Sequence, residues 1–260
     1  MLINFAHANG IPAASYKPLF EQLAPHHVMY NASYGLDPAF PVSNNWVHLA
    51  DEMIHFVAQN ANEPVLGIGH SLGAILTFIA ASKRPDLFRG VLMLDPPLIW
   101  GRLAWGVKLA KLIGKIDDIT PAGKSKHRRS SWPDRDAAIE YFASKKLFQF
   151  EPRCFEAFCD SVIKPAEKGS VKLSIGVDTE VAIFRTTPDN LKSCTRPTVP
   201  IKVIYAKQSD ASFARCIEPF CQYFGIERHT IDGQHMYPLQ QPDLTVSLIH
   251  EFIGGLNHVD

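Results

Sequence analysis

The sequence predicts an α/β fold: a doubly wound, mostly parallel sheet of about six strands, with a helical segment inserted after the fourth. Short apolar runs alternate with helical stretches along most of the 260 residues, the order that builds parallel crossover units. One of these runs, residues 65–69 (VLGIG), passes directly into His70-Ser71-Leu72-Gly73 and an Ala-rich stretch. The alternation stops near residue 98 and resumes near residue 201.

The elements follow in order. Residues 2–6 form a short apolar strand that ends at His7-Ala8-Asn9-Gly10. Residues 16–23 read as helix, since Pro18 is tolerated in a first turn. Residues 27–32 (HVMYNA) read as a second strand, followed by a Gly/Pro-rich loop over 34–41. Residues 44–60 are a helix that Asn44 or Asn45 can cap, with Trp46, Leu49, Met53 and Val57 at helical spacing. The buried strand 65–69 and the helix 72–83, ended before Pro85, come next. A buried strand over 91–95 is stopped by Pro96-Pro97. Past the irregular stretch come a strand over 201–206, a short helix over 217–223, a last strand over 228–231 and a helix over 242–252. The expected division is a core of residues 1–97 and 195–260 with a helical lid of residues 98–194.

Composition narrows the function classes. Acidic and basic residues cancel to a formal net charge of zero, which gives no electrostatic basis for nucleic acid as a main partner. No apolar run reaches the length of a membrane span, and the first residues lack the basic and apolar regions of a signal peptide. Five cysteines without a C-x-x-C pair read as reduced thiols of a cytoplasmic protein. No metal motif and no dinucleotide fingerprint occurs, so neither a metal nor a cofactor is expected.

The chemistry centres on Ser71. Gly69-His70-Ser71-Leu72-Gly73 lies between an apolar strand and a helix, the setting in which a serine stands in a tight turn above a sheet. A serine hydroxyl needs a base, and His235 follows the last strand in Gly233-Gln234-His235. Two acids precede it in the chain. Asp210 follows the strand 201–206 and is the favoured partner; Asp95, at the end of the strand 91–95, is the alternative. Asp232 belongs to the tight turn before His235. The oxyanion of acyl transfer requires N–H donors, expected from the backbone of Leu72 and of Asn9.

On these motifs the chain resembles the α/β-hydrolase superfamily. His7-Ala8-Asn9-Gly10 is similar to its oxyanion loop, Gly69-His70-Ser71-Leu72-Gly73 to its nucleophile elbow, and Gly233-Gln234-His235 with Pro238 and Pro242 to its histidine loop. The resemblance covers the chain outside the inserted segment. It implies a sheet that lacks the family's first two strands. Ala8 replaces the usual glycine of the oxyanion loop, and Asp210 stands one position late after its strand. A serine in the elbow, where other branches carry aspartate, argues against dehalogenases and epoxide hydrolases. Esterases, thioesterases, lactonases, C–C hydrolases and a few lyases or peroxidases of similar appearance remain.

The expected activity is hydrolysis of a small or medium carboxylic ester, or a related acyl substrate, through an acyl-enzyme. The alternatives are a C–C hydrolase of a diketone-like substrate and a ligand-binding receptor on the same fold. The expected partner is a small molecule, with no nucleic acid and no integral membrane association. In the lid, Trp100, Leu103, Val107, Ala110 and Ile113 can share one helical side, and Lys108, Lys111 and Lys115 another. A lid helix packed over the pocket is favoured over a basic amphipathic surface touching lipid aggregates. Trp100, Trp105, Trp132, Phe142 and Phe184 are candidates for an apolar pocket wall, and His127-Arg128-Arg129 for an acidic substrate group.

Overall fold

The structure, a computed structural model, describes residues 1–256. Its main sheet is wholly parallel. Strands β1 (Leu2–Ala6), β2 (His27–Met29), β3 (Val65–His70) and β4 (Phe88–Leu94) come from the first part of the chain. After the two- and three-residue strands β5 (Ser131–Trp132), β6 (Ile163–Pro165) and β7 (Val171–Leu173) come β8 (Ile201–Ala206) and β9 (Glu227–Ile231). The six-stranded sheet has the order β2-β1-β3-β4-β8-β9, every neighbouring pair running parallel.

Strand residues alternate between two apolar layers, as the period of an extended chain requires. Ile3, Phe5, Leu66, Ile68, Leu92 and Leu94 face one layer. Val65, Val91, Met93, Ile201 and Val203 face the other. Burial on both faces explains why these strands read as continuous apolar runs.

The helices cover those faces. α1 (Lys17–Glu21) supplies Leu19 to the first layer. α2 (Val47–Asn60) supplies Met53 and Val57 to the second, and α3 (Leu72–Lys83) supplies Phe78. Each such side chain contributes roughly 1.5–3 kcal/mol relative to exposure. The predicted cap of α2 is different in the structure. Residues 44–46 form a separate 3₁₀ turn, and the Ser43 hydroxyl accepts the His48 N–H at 3.0 Å. Asn45 instead accepts from the Asp189 N–H at 3.0 Å, so its side chain ties the inserted segment to the core.

Residues 98–194 interrupt the sheet order. They hold α4 (Arg102–Leu112), α5 (Ile116–Ile119), α6 (Ala122–Ser125), α7 (Arg135–Ala143), α8 (Pro152–Val162) and α9 (Val177–Arg185). They also hold an antiparallel sheet of order β5-β7-β6, where the sequence predicts helices alone. Strands this short carry too few alternations for a periodic signal. The α7 and α8 half is not a separate body: Trp132, Phe142 and Phe158 join the same apolar cluster as Phe5 and Tyr16. Three more helices follow among the described residues: α10 (Ala211–Phe224), α11 (Tyr237–Gln240) and α12 (Pro242–Leu256).

Candidate active site

The site is assembled at the C-terminal ends of β3, β4, β8 and β9, where ligands bind in open parallel sheets. Ser71 follows β3 with φ 55° and ψ −117°, a strained conformation typical of functional turns. Its N–H donates to the Leu94 carbonyl at 2.9 Å, which fixes the turn to β4. The flanking glycines are steric requirements. A Cβ on Gly69 would lie 2.2 Å from the Gly73 backbone, and one on Gly73 would lie 2.1 Å from the Ala6 carbonyl oxygen. The Gly73 N–H donates to the His7 carbonyl at 3.1 Å. That bond holds the start of α3 against the loop that carries Asn9.

Ser71 and His235 meet as predicted. The Ser71 Oγ is 2.9 Å from His235 Nε2. His235 Nδ1 is 2.6 Å from an oxygen of Asp95, so an Nδ1–H donates to the carboxylate and leaves Nε2 free to accept the serine proton. Of the two acids considered, Asp95, the alternative, is the one that lies against His235, and Asp210, the favoured one, does not. The Asp210 carboxylate accepts the Ser212 N–H at 2.7 Å and caps α10. The physical reason is the helix start. α10 begins at Ala211, six residues before the 217 expected from sequence, and a short acid immediately before a helix is spent on its unpaired N–H groups.

Asp95 is 5% exposed and its oxygens are held from several sides. The Ala206 N–H donates to Oδ1 at 2.7 Å, and the Ser209 hydroxyl donates to Oδ2 at 2.6 Å. Its own N–H donates to Ile204 at 2.7 Å. With φ at 44°, the residue turns out of β4 immediately before Pro96. Ser209, in Ala206-Lys207-Gln208-Ser209-Asp210, thus serves the neighbouring strand's acid. Asp232, expected in the turn, pairs with Lys207 at 2.9 Å and takes no part in the relay.

A second buried chain of hydrogen bonds runs beneath the serine. His70 Nδ1 is 2.7 Å from the Tyr16 hydroxyl, and His70 Nε2 is 2.9 Å from the His235 carbonyl. A carbonyl can only accept, so Nε2 carries the proton and Tyr16 O–H donates to Nδ1. The Ala8 N–H donates to the Tyr16 oxygen at 3.4 Å. The chain joins the loop after β1, the elbow and the histidine loop. Burial holds the His70 imidazole down to about 3, with the neighbouring His235 adding to it, so His70 is neutral and keeps this tautomer. His7 is likewise held down to about 4 by burial; its Nε2 accepts the Tyr34 N–H at 3.0 Å. Sequence reasoning passes over Tyr16 and His70 in these roles, because residues 54 positions apart carry no local signal of contact.

The predicted oxyanion donors lie on either side of the Gly73–His7 bond. Leu72 is the first residue of α3, whose N–H has no carbonyl within the helix. Asn9 sits in the turn closed by Ile11 N–H to Ala8 O at 3.1 Å, and its side-chain amide donates to the Glu180 carbonyl at 3.1 Å. Glu180 is buried and bonded to Arg128 and to the Ser125 hydroxyl. Arg128 is therefore committed to a carboxylate of its own chain. Burial pushes the thiols of Cys154 and Cys221 up to about 12, so both are protonated at neutral pH and are poor nucleophiles.

The aromatic residues proposed for a pocket wall separate. Trp132 and Phe142 are buried in the core cluster. Trp100 packs edge-on against Phe220 at 5.4 Å. Trp105 points to solvent at 74% exposure. Phe184 is partly buried on α9.

Known proteins are similar to this chain in sequence and in fold. The chain is 25% identical over 170 residues to the type I acyl-CoA thioesterase mpaH of Penicillium roqueforti, covering 58% of this chain and 37% of that protein. It is 24% identical over 217 residues to the type I acyl-CoA thioesterase mpaH' of Penicillium brevicompactum, covering 75% of this chain and 46% of that one. The chain thus spans less than half the length of these relatives. Among solved structures, E-2-(acetamidomethylene)succinate hydrolase superimposes with a TM-score of 0.74 at 20% identity, over 97% of this chain and 91% of that one. The thioesterase domain from the curacin biosynthetic pathway gives 0.74 at 16% identity, over 96% and 90%. Residues 5–248 match the alpha/beta hydrolase family, and the chain belongs to that family.

Proposed function

We propose that this chain is a serine hydrolase of acyl compounds, cleaving carboxylic esters or thioesters through an acyl-enzyme. The observation that carries the reading is the unbroken relay from Ser71 Oγ through His235 to Asp95, with spacings of 2.9 and 2.6 Å. In this mechanism His235 Nε2 takes the Ser71 proton as Oγ attacks the acyl carbon. Asp95 fixes the imidazole tautomer and stabilises the imidazolium that forms. The N–H groups of Leu72 and Asn9 receive the tetrahedral oxyanion. His235 then returns the proton to the leaving alcohol or thiol. In the second half it deprotonates water, which releases the acid and restores Ser71. Residues 98–194 act as the cap over this site, with the bond from Asn9 to the Glu180 carbonyl joining cap and oxyanion loop. The thioesterases among the relatives favour thioesters as one arm of the substrate class.

A fluorophosphonate probe tests the nucleophile: it labels the folded protein and fails to label Ser71→Ala. Equal labelling of both proteins, or of neither, would overturn the reading. A panel of p-nitrophenyl esters, acyl-CoA thioesters and vinylogous diketones then assigns the bond that is cleaved. Turnover of the diketones alone would replace acyl-ester chemistry by C–C hydrolysis.

A further inference from the structure

The α4 helix has an apolar side that nothing among the described residues covers. Trp105, Leu109 and Leu112 recur at helical spacing and are 74%, 56% and 83% exposed. Ile113, at the end of the helix, is 59% exposed. The opposite side of α4 is already packed: Val107 and Ala110 form a small cluster with Ile99 and Ile116, and Phe213 of α10 lies against it. The exposed stripe is therefore surplus to the fold. Large exposed apolar residues contiguous on one helix mark an interaction surface.

The charges around the stripe have one sign. Arg102 and Lys108 flank it and are exposed, and among the described residues neither forms an ion pair with a carboxylate. The Lys108 ammonium lies 5.7 Å from the centre of the Trp105 ring. The nearby acids are engaged: Asp117 pairs with Arg185 and Lys126, and Asp118 lies 3.8 Å from Lys115. Lys111, on the inner side, is spent on Asp189 at 2.8 Å and on the Thr187 carbonyl. The local surface is thus basic although the chain as a whole is neutral.

We infer that the outer face of α4 is a docking surface for an anionic lipid surface. The helix lies flat, with Trp105, Leu109 and Leu112 in the headgroup boundary and Arg102 and Lys108 on the phosphates. A tryptophan and two leucines beside unpaired cations on one exposed helix face have the composition of an interfacial segment. Self-association fits the same face less well. A two-fold contact between copies of this helix would bring like-charged Arg102 and Lys108 side chains into one interface. No helix among the described residues is long and apolar enough to cross a membrane, so contact of this kind is peripheral. α4 is joined to Asp95 by residues 96–101 alone, which places docking beside the loops of the active site. The inference does not rest on acyl chemistry, and its readout is binding.

Vesicle co-sedimentation of the whole chain tests it, with phosphatidylcholine vesicles against vesicles containing a third phosphatidylglycerol. Partition to the anionic vesicles is expected, weakened by high salt and accompanied by a blue shift of tryptophan emission that Trp105→Phe abolishes. Arg102→Glu with Lys108→Glu lowers the partition by at least about tenfold. Trp105→Ser with Leu112→Ser abolishes it while p-nitrophenyl ester turnover and the melting temperature are unchanged. Absence of binding to anionic vesicles overturns the inference, as does binding that both double variants leave intact. A concentration-dependent dimer in sedimentation velocity, dissociated by the Trp105/Leu112 variant, would overturn it in favour of a second copy.

Discussion

Ser71 stands in a turn set by five consecutive residues, whereas Asp95 and His235 are 140 positions apart and meet only because β4, β8 and the loop after β9 are neighbours. The half that holds the proposed nucleophile is local: two glycines, a strand before and a helix after. The acid–histidine half is held by contacts from Ala206, Ser209 and His70. A local half is robust to changes elsewhere but intolerant of any change in its own few residues. A long-range half is sensitive to partners that have no chemical role of their own.

The largest effect is expected where the local half carries the reacting atom. Ser71→Ala should reduce kcat by about 10⁶-fold, with folding intact by circular dichroism. The comparison is tested most sharply on the acids. Asp95→Asn should lower kcat about 10⁴-fold, because an amide at this position favours the wrong imidazole tautomer. Asp210→Asn should leave kcat within about twofold and cost at most about 1 kcal/mol of stability, since asparagine also caps helices. Equal losses from both acid variants would break the assignment.

Steric intolerance of the local half is read from stability. Gly73→Ala, which sets a Cβ against the Ala6 carbonyl, should destabilise by more than about 3 kcal/mol in urea unfolding. The long-range half should respond more gently. Tyr16→Phe leaves His70 Nδ1 without its donor in a buried site, and should cost about 1–3 kcal/mol. It should also lower kcat with KM little changed, because the His235 loop loses part of its anchorage.

Acid should weaken the fold through His7 and His70. Burial holds their folded values at about 4 and about 3, below the ordinary 6.5. The unfolded chain therefore binds protons that the folded chain refuses. Their stabilising contribution is complete above pH 6.5 and is lost as pH falls toward those lower values, at up to about 1.4 kcal/mol per pH unit for each. His70→Asn should flatten the slope between pH 6 and 4 by about that amount; an unchanged slope would show that His70 does not titrate differently on folding.

The inserted segment shows why periodicity has limits as a guide. Its α7 and α8 half is merged with the main core through Trp132, Phe142 and Phe158, while α4 leaves Trp105 and Leu112 in solvent. Both halves are rich in aromatic and aliphatic residues. An apolar stripe tells which residues share a face, not whether anything lies against it. The same limit applies to the basic run: Arg128 is bonded to Glu180, 52 positions away, which no local pattern reveals.

By itself the sequence determined the parallel sheet and pointed to Ser71 and His235, because each is written in residues that are adjacent or regularly spaced. Continuous apolar runs specify strands buried on both faces, and Gly69 and Gly73 leave room for the backbone to pack closely around Ser71. Tertiary structure alone decided which acid meets His235. Asp95 and Asp210 both follow strands next to the site, and both precede the histidine in the chain. One carboxylate was drawn to the Ser212 N–H in the first turn of α10, while the other was turned by a positive φ toward the end of β8, where it meets the Ala206 N–H. That choice depends on where a helix begins and how two strands lie side by side, and neither is a property of any short stretch of residues.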